Sequence, residues 1–308
     1  MLRSVRNIGV INKIFRSILL TVKRLADLAD KRWPVTGVIP LSKAGVEFKM
    51  YNECDDGLVS DFFYSRKYDE DADLILFTAL ARHSKTIVDI GANTGLFSVL
   101  SSVANRSTAI YAVEPYTPNF TRLNINLKLN DCSNVKPLQV AIGESVGAIE
   151  MTVPGNNSIT DVSSVNGDFS KKIYPDMVWK KETVKLETLD NIKQSNKLTI
   201  DLIKCDVESY EMSVFKGMDQ VLREDRPAIL FECFVDEERQ HFFNEILTKY
   251  NYHIYGVLTE GIVYLNRGIQ NTSTLNYLLS PVAPKDNFLT FAQIDSNPES
   301  ILLRPMVK

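Results

Sequence analysis

The sequence predicts an α/β fold in which helices cover both faces of a mostly parallel β-sheet. Apolar segments of strand length alternate along the 308 residues with segments whose apolar residues recur at helical spacing. Four of the strand-like segments have an acidic residue at or directly after their carboxyl end: Asp89, Glu114, Asp206 and Glu232. Because ligands of such sheets bind beyond the carboxyl ends of the strands, we expect these acids to share one functional edge.

Composition agrees with a large globular domain that carries an appendage. Hydrophobic residues make up 44% and charged residues 24% of the chain, as expected for a packed core. The four cysteines form no Cys-x-x-Cys pair, and the three histidines lie far apart, so neither a disulfide framework nor a zinc or histidine metal site is predicted. The net charge of −3 disfavours nucleic acid as a partner.

Residues 1–33 are predicted to form a basic amphipathic helical arm, and residues 34–308 the main domain. Residues 1–24 contain six Lys or Arg and no acid, and apolar residues recur there at helical spacing. The apolar face either binds an anionic membrane surface or packs against the main domain or a second subunit. No apolar run is long enough to span a bilayer, so we expect a cytoplasmic protein, with peripheral membrane contact as the alternative.

The elements of the main domain are predicted from apolar spacing and turn residues. Alternation predicts a strand over 46–51, and a helical stripe follows over 70–81. Apolar runs bounded by acids or polar turns predict core strands at 86–90, 109–113, 135–141, 198–205 and 228–231. Helical periodicity between them predicts helices over 94–103, 118–129, 210–222 and 236–250.

The remaining segments have weaker patterns. Extended pieces are expected at 147–153 and 183–189, and later strands at 253–257, 261–265 and 287–292. Polar residues dominate 154–170, which predicts either a long binding loop or a solvated one. The stretch of about 268–284 is predicted to be a loop insertion, and the core that carries the motifs spans 68–292.

The segment from Thr86 to Leu100 indicates a nucleotide-like cofactor site. Its strand ends in Ile90, a turn bounded by Gly91 and Gly95 follows, and a helical pattern begins behind the turn. Glycine lets a ligand approach the backbone, and amides at the start of the helix are expected to face that ligand. The G-x-x-x-G spacing differs from the G-x-G-x-x-G of nicotinamide-dinucleotide sites.

Glu114 lies 23 residues after Gly91, the interval expected of an acid that accepts hydrogen bonds from ribose hydroxyls. A carboxylate can accept from both hydroxyls at once, which would fix the sugar. The alternative interpretation is a helix N-cap neighbour, because Pro115 begins a turn.

A second acidic cluster, Asp206-Val-Glu-Ser-Tyr-Glu211, directly follows the predicted fourth parallel strand. Asp206 and Glu208 could attract a positively charged cofactor or remove the proton of an alcohol nucleophile. Glu211 is interpreted as a favourable charge in the first turn of the next helix. Lys204, just before the cluster, could pair with one of its acids.

Taken in order, these motifs resemble the FkbM family of S-adenosyl-L-methionine-dependent methyltransferases, over about residues 68–289. The matching pieces are Val88-Asp-Ile-Gly-Ala-Asn-Thr-Gly95, Ala112-Val-Glu-Pro115, Val140-Ala-Ile-Gly143, Ile203-Lys-Cys-Asp-Val-Glu-Ser-Tyr-Glu211 and Phe215-Lys-Gly217. The resemblance implies the class I methyltransferase (Rossmann-like) fold, with a seven-stranded sheet. The family usually has glycine where this chain has Ser209, which bears on the loop backbone and on the direction of Glu208.

The resemblance also implies an O-methyltransferase that acts on a hydroxyl of a sugar, glycan or glycolipid. The residues expected to hold S-adenosyl-L-methionine are Asp89, Gly91, Ala92, Asn93, Thr94, Gly95, Glu114, Pro115, Ala141 and Asp206. Glu208 is the expected base, with Asp206 or Glu232 as substitutes, and a divalent ion held by these three acids is a variant that we do not adopt. A nicotinamide-dependent oxidoreductase and a non-catalytic binding protein with a retained pocket are the alternative functions.

Overall fold

The computed structural model describes residues 35–303, apart from 54, 65–71, 157, 159–170, 172–174 and 271–274. The predicted arm over 1–33, the start of the helix expected at 70–81 and most of the polar loop expected at 154–170 lie outside the described residues. No helix within the described ranges is long and apolar enough to cross a membrane.

Strands and helices alternate along most of the described chain. The strands are β1 (Thr36–Lys43), β2 (Val46–Glu53), β3 (Thr86–Ile90), β4 (Ala109–Val113), β5 (Val135–Leu138), β6 (Ala141–Ile142), β7 (Gly147–Pro154), β8 (Trp179–Glu187), β9 (Leu202–Cys205), β10 (Ala228–Glu232), β11 (His253–Leu258), β12 (Gly261–Tyr264), β13 (Asn276–Ser280) and β14 (Phe288–Thr290). The α-helices are α1 (Gly57–Tyr64), α2 (Ala72–Ala81), α3 (Leu96–Ala104), α4 (Thr117–Leu129), α5 (Leu189–Asn196), α6 (Glu211–Lys216), α7 (Glu237–Tyr250) and α8 (Phe291–Ser296).

A nine-stranded sheet forms the centre of the protein, in the order β14-β12-β11-β13-β10-β9-β3-β4-β5. Neighbours from β10 to β5 pair in parallel, whereas the pairings from β10 to β14 are antiparallel. Of the nine strands only β12 and β13 run against the others, so the sheet is mostly parallel in direction. The carboxyl ends of β3, β4, β9 and β10 therefore meet at one edge, as the sequence predicts.

Both faces of the parallel strands are buried, which explains their continuous apolar sequences. All four residues of β9 are buried. On one face Phe231 packs against Phe215 and Phe243, whose ring centroids lie 5.4 and 4.8 Å away. On the other face α2 packs Phe77 and Leu80 into a cluster with apolar residues of the strands.

The far half of the sheet differs from the prediction. The sheet has nine strands where the resemblance implied seven. The expected loop insertion at 268–284 contains β13, which lies between β10 and β11 and is buried from Tyr277 to Ser280. The strand expected at 287–292 ends at Thr290, because the Thr290 side chain caps α8 and forms a capping box with Gln293.

The helix expected over 210–222 is also interrupted. Helix α6 ends at Lys216, with Gly217 as its C-cap, and a π-helical turn occupies Val221–Asp225. A Cβ at Gly217 would lie only 1.9 Å from the carbonyl oxygen of Gly143. The chain therefore needs glycine at 217 for close backbone packing, although its φ of −85° is ordinary.

A side sheet of three strands, β6-β8-β7, stands apart from the central sheet. The expected strand at 135–141 is divided between β5 in the central sheet and β6 in the side sheet. The extended pieces expected at 147–153 and 183–189 are β7 and β8, which pair antiparallel from Gly147 opposite Leu186 to Pro154 opposite Trp179.

A helix takes the place of a third strand beside the β1–β2 hairpin. The side chain of Asn130, the C-cap residue of α4, accepts from the Lys49 amide at 2.8 Å and donates to the Lys49 carbonyl at 2.6 Å. Asn126 accepts from the Tyr51 amide at 2.7 Å, and Arg122 donates to the Tyr51 carbonyl at 3.2 Å. Helix residues four apart are separated by about 6 Å along the axis and alternate strand residues by about 6.7 Å, so the two repeats match.

Candidate active site

The turn between β3 and α3 is closed by hydrogen bonds within the protein. The amides of Gly91 and Ala92 both donate to the carbonyl of Val113, at 3.0 and 2.9 Å. The Gly95 amide donates to the carbonyl of Ala92 at 2.8 Å, and the Asn93 amide donates to a carboxylate. These four amides are therefore bonded within the protein, and they fix the shape of the turn that leads into α3.

Gly91 and Gly95 are required by contacts inside the protein. Gly91 has a φ of +79°, and a Cβ there would lie 1.8 Å from the carbonyl oxygen of Asp206. Gly95 has a φ of +96°, and its Cβ would lie 2.5 Å from Cδ1 of Leu123 in α4. The first contact seats the turn against the Asp206 loop, and the second allows α3 and α4 to pack closely.

Glu114, which directly follows β4, binds two backbone amides with its carboxylate. Oε2 accepts from the amide of Asn93 and Oε1 from the amide of Tyr116, both at 2.9 Å. Burial raises the pKa of Glu114 from 4.5 to about 7, although both amides oppose the rise. Each oxygen keeps a second lone pair, so the carboxylate can still accept from hydroxyls of a ligand.

Two buried acceptors at this edge have no hydrogen-bond partner among the described residues. They are Oδ1 of Asn93 and Oδ1 of Asp89. The other carboxylate oxygen of Asp89 accepts from the Ser98 hydroxyl at 2.6 Å. Burial raises the pKa of Asp89, and the positive charge of Lys204 opposes the rise. Because buried polar atoms are rarely left unbonded, both acceptors fit a ligand that supplies N–H or O–H donors.

Thr94 is bonded to residues far away in sequence. Its hydroxyl donates to Oδ2 of Asp56 at 2.9 Å, and its carbonyl accepts from the side-chain amide of Asn126 at 2.7 Å. The other oxygen of Asp56 accepts from the amide of Val59 at 3.0 Å, in the manner of a helix N-cap for α1. Sequence reasoning missed Asp56, because no local signal links it to the turn.

Lys204 in β9 supplies a buried positive charge to the acidic edge. Its ammonium donates to Oδ2 of Asp206 at 2.8 Å and lies 4.4 Å from the ring centre of Phe97, which confirms the expected pairing with an acid. Burial alone would lower the pKa of Lys204, but the carboxylates of Asp206 and Asp89 raise it above its ordinary value. Lys204 was nevertheless absent from the predicted site residues.

Three carboxylates converge where β9 and β10 end. Asp206 follows β9, Glu232 ends β10 and Glu211 begins α6. Burial raises the pKa of Glu211 and of Glu232 to about 7, and the negative charge of Asp206 contributes to both rises. Glu211 is 3% exposed, so the interpretation as an ordinary helix-end charge is incomplete.

Glu208 lies in the same loop as Asp206 and is half-buried. Glu208 and the following Ser209 both have left-handed backbones, with φ of +53° and +72°. Glycine adopts the left-handed backbone conformation most easily, which explains why the family usually has glycine at the position of Ser209.

Pro115 and Ala141 lie around Tyr116, on the Glu114 side of the site. Pro115 is half-buried between Glu114 and Tyr116. Ala141 is buried in a small cluster that includes Tyr116. The Tyr116 hydroxyl donates to the carbonyl of Ser158 at 3.1 Å, so a described residue of the predicted polar loop is anchored here.

Within the described ranges, no three His, Cys, Asp or Glu side chains are arranged to hold a metal ion.

Comparisons with known proteins identify the family of this chain. Residues 89–255, more than half of the chain, match the family model described as the methyltransferase FkbM domain. Methyltransferase sdnD from Sordaria araneosa is 34% identical over 162 residues, which cover 44% of this chain and 60% of that protein. Methyltransferase 1 from Beauveria bassiana is 28% identical over 144 residues, which cover 43% of this chain and 58% of that protein. The match thus spans about three-fifths of the length of these curated relatives.

Two solved structures of methyltransferases are also similar to this chain, with lower sequence identity than the curated relatives. The methyltransferase FkbM from Methylobacillus flagellatus aligns with a TM-score of 0.40 and 16% identity, covering 64% of this chain and 44% of that chain. A putative SAM-dependent methyltransferase from Streptococcus mutans aligns with a TM-score of 0.41 and 13% identity, covering 79% of this chain and 54% of that chain.

Proposed function

Because the chain belongs to the FkbM methyltransferase family, we propose that it transfers a methyl group from S-adenosyl-L-methionine to a hydroxyl of a sugar, glycan or glycolipid. The observation that carries the proposal is the contact of Gly91 with the carbonyl of Asp206. This contact joins the glycine-bounded turn to the acidic loop, so the groups suited to hold a cofactor lie directly beside the groups suited to act on an acceptor.

The residues present fit the cofactor. Glu114 can accept from the ribose hydroxyls with the lone pairs that Asn93 and Tyr116 leave unused. The unbonded acceptors on Asn93 and Asp89 suit an ammonium donor such as that of the cofactor's amino acid portion. When bound, the cofactor supplies a methyl group on a cationic sulfur, and nearby carboxylates stabilise such a cation.

Glu208 is the base in this proposal and takes the proton that the acceptor hydroxyl must lose. Asp206 and Glu232 are the substitutes, and Lys204 holds the Asp206 carboxylate in place. Glu232, with a pKa of about 7, can change its protonation state at neutral pH, which suits proton exchange.

A neutral polyol suits this edge better than an anionic acceptor. Carboxylates of Asp206, Glu211 and Glu232 gather there, and the cation Lys204 is already paired with Asp206. Like charges in a poorly solvated site repel a phosphate or carboxylate group. A glycolipid acceptor would lie at a membrane surface, where a basic arm formed by residues 1–33 is suited to bind.

The proposal is tested first by cofactor binding and then by transfer. Calorimetry with S-adenosyl-L-methionine is expected to show binding, and NAD, injected as a control for the oxidoreductase alternative, is expected to show none. Isotopically labelled methyl transfer to a panel of sugars and glycolipids then identifies the acceptor. Binding of NAD alone would contradict the proposal, and cofactor binding without transfer to any acceptor would favour the non-catalytic alternative.

The base is tested by Glu208→Gln with Glu150→Gln as the matched control. Glu150 is an exposed carboxylate of the side sheet that pairs with Lys181. General base catalysis contributes about 10²- to 10⁴-fold, so Glu208→Gln is expected to reduce kcat by at least about 100-fold while cofactor affinity is kept. Full turnover in Glu208→Gln would show that another group takes the proton.

A further inference from the structure

The loop that carries Glu208 has a backbone that its own residues do not favour. Glu208 and Ser209 are consecutive left-handed residues, with φ of +53° and +72°, and neither is glycine. L-residues in this region are strained by contact of Cβ with the backbone. Such strain persists only where surrounding groups determine the conformation, so some other group must hold this loop.

The side-chain carboxylate of Glu211 holds the loop. Its side chain is buried, and Oε1 accepts from the amide of Ser209 at 3.1 Å. The backbone amides of Val207 and of Glu211 itself also favour the charged form of this carboxylate and oppose the rise in its pKa that burial causes. Backbone donors from both sides of Glu208 therefore converge on one buried carboxylate, and hydrogen bonds to a charged acceptor are stronger than neutral ones.

We propose that Glu211 is the positioning residue for Glu208: its carboxylate binds the amides on either side of Glu208 and thereby fixes the strained loop that presents the base. The inference rests on the proposed function, in which Glu208 takes the acceptor's proton. Glu211 itself needs no contact with acceptor or cofactor. Its effect on turnover arises from alignment, because displacement of a reacting group by about 1 Å can reduce a rate by about 100-fold.

The test uses the full chain and three variants. Glu211→Ala removes the acceptor, whereas Glu211→Gln keeps one side-chain oxygen for the Ser209 amide and serves as the milder change if Glu211→Ala does not fold. Glu237→Ala is the matched control, because Glu237 also begins a helix but is exposed.

Amide hydrogen exchange, followed by mass spectrometry, measures the loop directly and needs no acceptor. In Glu211→Ala the peptide over 206–210 is expected to exchange about tenfold faster or more, while peptides from β3 and β9 keep their protection. Glu211→Gln is expected to lie between Glu211→Ala and the wild type, and Glu237→Ala to match the wild type. Unchanged exchange in Glu211→Ala would overturn the proposal.

Kinetics and a second-site change separate positioning from general stability. Glu211→Ala is expected to lower kcat about 10- to 100-fold with little change in the KM for S-adenosyl-L-methionine. Adding Ser209→Gly, which removes the Cβ strain at φ +72°, is expected to restore part of both kcat and exchange protection. Faster exchange with unchanged kcat, or no recovery on adding Ser209→Gly, would contradict the positioning role.

The outcome for Glu211 is distinguishable from the outcome for the proposed function. A wild-type protein that neither binds S-adenosyl-L-methionine nor transfers a methyl group would refute the proposed function. The exchange rates of the 206–210 peptide would still decide whether Glu211 holds the loop.

Discussion

Substitution of Gly91 by alanine distinguishes two reasons for the glycine in the turn between β3 and α3. If glycine is needed only to admit a ligand, Gly91→Ala should weaken cofactor binding and leave the unliganded protein stable. In the structure, however, a Cβ added at Gly91 would lie only 1.8 Å from the carbonyl oxygen of Asp206. We therefore expect the unliganded protein itself to be destabilised.

The magnitude follows from two separable effects at Gly91. The left-handed φ of +79° costs an alanine about 1–2 kcal/mol relative to glycine. Relief of the contact with Asp206 requires a backbone shift, and overpacking of this kind costs about 1–3 kcal/mol. The free energy of unfolding of Gly91→Ala should thus be lower than that of the wild type by about 2–5 kcal/mol.

Two other glycines provide matched controls for this measurement. Gly217 has an ordinary φ of −85° but a Cβ there would meet the Gly143 carbonyl at 1.9 Å, so Gly217→Ala tests the contact alone and should cost about 1–3 kcal/mol. A Cβ at Gly57 would meet nothing within 4 Å, so Gly57→Ala should be neutral or stabilise by up to about 1 kcal/mol.

The assay is urea unfolding of the unliganded proteins, followed by circular dichroism, with S-adenosyl-L-methionine affinity measured separately. The expected order of stability is Gly57→Ala, then Gly217→Ala, then Gly91→Ala. Equal stability of Gly91→Ala and Gly57→Ala, combined with lost cofactor affinity in Gly91→Ala alone, would refute the packing explanation and restore the ligand explanation.

Three further predictions concern buried groups. Folding raises the pKa of Glu114 from 4.5 to about 7, so between these pH values the folded state keeps a proton that the unfolded state has released. The free energy of unfolding should therefore fall by about 3 kcal/mol as the pH rises from 4.5 to 7. Urea unfolding at about pH 4.5 and about pH 7.5 should show this fall in the wild type but not in Glu114→Gln. Asp56→Ala removes the acceptor for the Thr94 hydroxyl and should cost about 1–3 kcal/mol, measured by urea unfolding. Leu279→Ala, in the strand predicted as a loop, should cost about 2–5 kcal/mol, whereas a surface-loop residue would change stability by no more than about 0.5 kcal/mol.

The parallel core of the fold was predictable because its signals are local. Strands β3 and β4 have the predicted bounds of 86–90 and 109–113, since an apolar run followed closely by an acid and a turn marks each end. The same acids then fall on one edge without further assumptions. Helix α7 was also predicted well, because Asp236 caps it and its acidic first turn is visible in the sequence.

The features that sequence reasoning missed depend on contacts between distant residues. Strand β13 has a short apolar run inside a polar stretch, and its identity as a strand comes from pairing with β10 and β11. Asp56 reaches Thr94 across 38 residues. The burial of Glu211 likewise arises only when β9, β10 and α6 are assembled. Because of this burial, the Glu211 carboxylate binds the backbone of the preceding loop instead of facing solvent at the start of a helix.

The side chains by which α4 completes the β1–β2 hairpin have a consequence for solubility. An open strand edge is a template on which another chain can add a strand and begin to aggregate. Asn130, Asn126 and Arg122 satisfy the amides and carbonyls along this edge of β2, so α4 covers it without contributing a strand. These residues thereby keep the hairpin from recruiting neighbouring molecules, and Asn130→Leu is expected to promote self-association, seen as rising light scattering on mild heating.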